Sequence, residues 1–73
     1  MDFQEFITEA KRRIFAYDST ATEENIENFW MGNVMEIRKV LFRRKDANIL
    51  YLVTANTMTE EYGVIKYIPE QVG

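Results

Sequence analysis

The chain has no cysteine and no histidine, a single serine, one proline and three glycines in 73 residues. Without cysteine there is no disulfide and no thiolate, and without histidine there is no Ser-His-Asp triad and no imidazole-based metal site. Ser19 has no His or Lys beside it in sequence, and nothing marks Lys39 or Lys66 as an activated amine. Gly32, Gly63 and Gly73 lie too far apart to form a phosphate-cradling loop. Charged residues interrupt every apolar stretch long before the twenty or so positions that cross a bilayer. The opening Met1-Asp2-Phe3-Gln4-Glu5 is acidic where a secretory signal is basic. These absences point to a chain that is not an enzyme, with no catalytic, cofactor-binding or metal-ligating residues and no membrane partner, expected in the cytoplasm.

What is present is apolar and ring-rich: 47% hydrophobic and 14% aromatic residues. That excludes intrinsic disorder. The length fits one domain, residues 1–73, whose stability margin is thin because so small a chain buries only about 60–65% of its unfolded surface. With neither disulfide nor metal to help, oligomerisation or partner binding is the remaining source of stability.

Phe3, Phe6, Ile7, Ala10, Ile14 and Tyr17 recur at spacings of three and four, which predicts an amphipathic helix over 2–17. Asp2, Glu5 and Glu9 precede Lys11, Arg12 and Arg13, matching the helix dipole at both ends. Thr20 and Glu23 have capping-box spacing, and Gly32-Asn33 suits a helix stop. A short second helix is therefore expected over 21–31, with Ile26, Phe29 and Trp30 as a lid on one sheet face. Alternation and β-branched residues predict strands at about 34–43, 49–55 and 64–68, the first two joined through Lys45-Asp46-Ala47-Asn48 and the last stopped by Pro69. The expected fold is α+β: an N-terminal helix and a short second helix packed on a three-stranded antiparallel meander.

Ile49-Leu50-Tyr51-Leu52-Val53 is apolar at every position. Successive strand side chains point to opposite faces, so this run asks for cover on both. Leu41 and Leu52 are expected in the core. Val40, Phe42 and Tyr51 would then face a partner, joined by Phe15, which falls off the helix stripe. Interfaces enrich such ring-rich, arginine-flanked surfaces.

Five of the nine basic residues fall between Arg38 and Lys45. A hairpin carrying Arg38, Arg43, Arg44 and Lys45 beside Phe42 and Tyr51 could bind nucleic acid through phosphate contacts and stacking. Against this stands a net charge of −3, since dedicated binders usually carry a strong positive excess. Cations at a hairpin end also protect an edge strand. Glu23, Glu24 and Glu27 are compatible with Mg²⁺ held together with substrate phosphates, but the pattern is unspecific and an acidic first helical turn facing water is the favoured reading. With Glu60 and Glu61 they could alternatively present an acidic surface to a basic partner.

The sequence Phe6-Ile7-x-x-Ala10-Lys11 ending at Tyr17, Trp30 nine residues before Lys39-Val40-Leu41, and a ring-bearing strand ending Val53-Thr54 resemble short uncharacterised proteins encoded by phages and prophages of Gram-positive bacteria. The chain departs from them at its basic hairpin turn, which lacks a Pro or Gly pair. The resemblance implies an accessory protein that binds a host or phage protein in the bacterial cytoplasm. Protein binding, with self-association into a homodimer through a sheet face or edge, is the expected function.

Overall fold

The computed structural model describes residues 2–70. One helix, α1 (Phe3–Tyr17), precedes four strands, β1 (Ile26–Val34), β2 (Ile37–Arg44), β3 (Leu50–Asn56) and β4 (Tyr62–Tyr67). The strands form a single antiparallel meander in the order β1-β2-β3-β4.

Helix α1 starts where Asp2 accepts a hydrogen bond from the Glu5 backbone N–H at 2.8 Å. That satisfies one of the donors a helix leaves open at its N-terminus. Glu9 pairs with both Arg12 and Arg13, and the Arg12 guanidinium above all holds its carboxyl at about 2. The helix stops at Asp18, which turns extended while its N–H still reaches the Ile14 carbonyl at 2.8 Å. Phe6, Ala10 and Ile14 form the buried stripe, laid over β3 and β4.

The expected second helix and three-stranded sheet are corrected by a fourth strand. Residues 26–34 are β1, paired with β2 from Ile26↔Arg44 to Val34↔Ile37. A helix of about eleven residues is marginal without strong packing. This segment is rich in aromatic and β-branched residues, and a tight turn at Met35-Glu36 brings it directly beside β2. Gly32-Asn33, expected as a helix stop, lies inside the strand. Thr20 and Glu23 form no capping box. Instead Thr22 and Asn25 bond each other around a turn that feeds β1.

An extra residue, Phe29, separates the pairs Asn28↔Phe42 and Trp30↔Leu41. This β-bulge reverses the alternation of β1. Ile26 lies on the helix side with Arg44, whereas Trp30 shares the opposite side with Leu41. The Asn28 amide stitches the bulge by donating to the carbonyls of Trp30 and Leu41.

The core lies between α1 and one sheet face. Val40, Phe42, Tyr51 and Val53 are fully buried there, with Ala55 beside them, and Ala21 and Ile26 close the β1 side. Leu41 and Leu52 lie on the other face, only half-buried. The two faces are thus exchanged relative to the sequence expectation. On β2 the face bearing Leu41 also bears Lys39 and Arg43, and covering it with a helix would desolvate both cations. The Val40–Phe42 face keeps its arginines, Arg38 and Arg44, at the ends of the strand.

Candidate protein contact face

Antiparallel register assembles the uncovered face row by row. Trp30, Leu41, Leu52 and Ile65 are cross-strand partners in sequence, so they form one apolar row across all four strands. Directly opposed side chains in such a row stand about 4.5–5.5 Å apart at Cβ, so the row is continuous. Trp30 and Ile65, its two ends, are 45% and 55% exposed. On one side lies the row Glu27, Arg43, Leu50 and Tyr67; on the other, Gly32, Lys39, Thr54 and Gly63. Phe29, left unpaired by the bulge, lines a shallow groove with Glu27, Arg43 and Leu50.

Trp30 is folded over Gly32. A Cβ on Gly32 would stand 2.8 and 2.9 Å from two atoms of the indole ring, so the glycine makes room for the ring. The Arg43 guanidinium donates to Glu27, which removes a bare cation from the rim. An apolar patch rimmed by charge, on a face its own helix leaves uncovered, is what protein docking sites present.

The other residues expected at a contact surface are placed elsewhere. Val40, Phe42 and Tyr51 have no exposed surface, and Phe15 is half-buried against the core they form. The four basic residues do not make one patch. Arg44 spreads its guanidinium over Asp46, Thr20 and the Tyr51 hydroxyl. Arg38 lies on the helix side with its guanidinium 5.6 Å from the Phe6 ring centroid. Arg43 is on the opposite face, and Lys45 is exposed in the β2–β3 connection. The acids are similarly scattered. Glu23 pairs with Lys11 and Glu27 with Arg43, while Glu60 and Glu61 sit in the β3–β4 connection at the other end of the sheet. Among the described residues no cluster of carboxylates has the arrangement to hold a metal ion.

Beneath the helix lies a buried polar cluster. Asp18 accepts hydrogen bonds from the Thr20 hydroxyl at 2.6 Å, the Tyr51 hydroxyl at 2.7 Å and the Lys66 ammonium at 2.9 Å. The Thr20 hydroxyl, then Tyr51 and Lys66, hold its carboxyl well below the usual aspartate range. Asp18 in turn raises Lys66, and burial raises the Tyr51 phenol. Each donor is answered within the cluster, which ties the end of α1 to β3 and β4. Its geometry is that of a latch.

No family model, curated protein or solved structure matches the chain. The function therefore has to be argued from this geometry. Sequence reasoning missed Trp30, Leu41, Leu52 and Ile65 as one surface. The signal lay in β2, where Lys39 and Arg43 flank Leu41 on the same side of the strand.

Proposed function

We propose that this chain is a small non-catalytic protein-binding module whose contact surface is the uncovered face of its sheet. The observation that carries this is the row Trp30–Leu41–Leu52–Ile65, which α1 leaves open to solvent. Burying apolar area is worth about 25 cal/mol per Å², so a flat row of four large side chains is an efficient place to dock an apolar protein surface. The Glu27–Arg43 pair and Lys39 provide a charged rim that limits which partners fit. Elsewhere several charges pair within the chain: Glu9 with Arg12 and Arg13, Glu23 with Lys11, Asp46 with Arg44 and Asp18 with Lys66.

The test is a pull-down from nuclease-treated bacterial lysate at moderate salt. Tagged wild type is compared with the Leu52→Glu and Ile65→Lys variants, each checked for folding by circular dichroism. Wild type should retain a protein, another copy of this chain included, that both variants lose. Identical retained sets, or capture that disappears with nuclease, would overturn the proposal.

A further inference from the structure

We infer that the outer edge of β1 takes up an extended segment of another protein as an added strand, one with apolar side chains at alternate positions and Lys or Arg at both ends. This edge is a different surface from the apolar row, so the inference stands whatever docks on the face.

The backbone comes first. Along an antiparallel ladder, alternate residues turn their N–H and C=O toward one neighbour and the rest turn theirs away. The two-residue turn Met35-Glu36 closes on the pair Val34↔Ile37, so Val34 and Gly32 bond to β2. Met31 and Asn33, both exposed, direct their backbone groups outward. The bulge at Phe29 ends the regular edge, which leaves residues 30–34 as the pairing segment. The opposite edge of the sheet differs. There β4 carries Lys66, drawn inward to Asp18, and an edge lysine is a common guard against strand addition. Strand β1 has no lysine, arginine or proline.

Side chains and charge define the segment. Its residues level with Met31 and Asn33 point to the helix side, where a groove is lined by Phe3, Met31, Asn33 and Arg38. Phe3 and Met31 are 45% and 42% exposed there, an apolar floor for a side chain such as valine. Added strands gain affinity from main-chain bonds and specificity from such grooves. Residues 23–36 contain Glu23, Glu24, Glu27 and Glu36 and no Lys or Arg. Lys11 answers Glu23 and Arg43 answers Glu27, while Glu24 and Glu36, beyond either end of β1, are exposed. Their carboxylates favour cations on both flanks of the incoming strand. A second copy paired through β1 would set one acidic stretch against another, so charge selects a basic segment over the chain itself.

Amide hydrogen exchange of the full chain, read residue by residue by NMR, tests this with a synthetic peptide, Lys-Lys-Thr-Val-Thr-Val-Thr-Val-Lys-Lys. With Kd on the order of 100 µM, about 1 mM peptide should slow exchange at Met31 and Asn33 about tenfold. The same peptide with glutamate in place of lysine should slow it far less. Asn33→Pro removes an outward N–H without breaking the β1–β2 ladder and should abolish the protection. Glu24→Lys with Glu36→Lys, two exposed changes that leave the strand itself intact, should reverse the preference toward the glutamate peptide. No slowing at about 1 mM, a tenth of which would suffice for half-occupancy at that Kd, overturns the inference. So does equal protection by the two peptides, a preference that survives the double charge reversal, or a response confined to Leu41, Leu52 and Ile65. Protection of Met31 and Asn33 that grows with the concentration of the chain alone would make a second copy the occupant and overturn it too. If the edge is silent yet the lysate protein is still lost with Leu52→Glu, the docking role of the face stands and the edge inference falls.

Discussion

Val40 and Leu41 are neighbours in β2, as Val53 and Leu52 are in β3, yet the two faces they build have opposite fates. Val40, Phe42, Tyr51 and Val53 are sealed under α1. Leu41 and Leu52 remain half-buried, between the exposed Trp30 and Ile65. Hydrophobicity does not separate the faces, since both carry large apolar side chains. Charge placement does: the covered face keeps its arginines at the ends of β2, where Arg44 finds Asp46 and Thr20, and the open face carries Lys39 and Arg43 on either side of Leu41. A helix can cover the first arrangement without stranding a cation, and it cannot cover the second.

The strongest way to break that contrast is to truncate both faces equally. Phe42→Ala should cost about 3–5 kcal/mol, enough to unfold most of so small a domain. Leu41→Ala, measured in dilute solution, should cost about 1 kcal/mol because its side chain is already partly in water. Urea denaturation with equal losses for the two variants would mean that the faces are equivalent and the assignment of core and surface is wrong.

The latch beneath the helix comes next. Asp18→Ala removes the acceptor shared by Thr20, Tyr51 and Lys66 and should cost about 2–3 kcal/mol, whereas Tyr51→Phe, which deletes one hydroxyl, should cost about 1–2 kcal/mol. Acid should reproduce the first effect in the wild type. Asp18 is held below its ordinary value of 3.8, so the unfolded chain takes up a proton that the folded chain resists. That stabilisation is complete above the ordinary aspartate range and is lost as pH falls from about 4 toward the folded value. The urea midpoint should therefore drop through this window, and Asp18→Asn should flatten the drop. An unchanged acid profile in Asp18→Asn would remove Asp18 as its source.

The smallest effect belongs to the turn that delivers β1 to the open face. Met35 takes a φ of 56° without being glycine and is 91% exposed. Left-handed backbone costs an ordinary side chain about 1 kcal/mol that glycine and asparagine largely avoid. Met35→Asn should raise stability by about 0.5–1 kcal/mol, read as a higher thermal midpoint. A lowered thermal midpoint would show that Met35 makes a contact that matters more than its backbone.

Much of the architecture was legible in the sequence. The stripe from Phe6 to Ile14 specified α1 and its buried face; the β-branched and apolar residues of 34–43, 49–55 and 64–68 specified three strands near β2, β3 and β4, although the first was expected to start at Val34, which ends β1 instead. The fourth strand was not legible. Ile26, Phe29 and Trp30 fit a helical spacing as well as a strand, and the bulge at Phe29 breaks the alternation that would have betrayed one. The open face was half-legible: the Lys39-x-Leu41-x-Arg43 pattern marks it, but Trp30 joins that face only because of the bulge.

By itself, then, the sequence determined the helix, the presence of a sheet and an apolar content too large for one helix to cover. Local periodicity and propensity suffice for those. Which face the helix covers, and that residues 26–34 extend the sheet as an edge strand, were decided only in the tertiary structure. A run apolar at every position, as in Ile49–Val53, offers both of its faces equally, and the choice falls to the charges that neighbouring strands bring into register beside it.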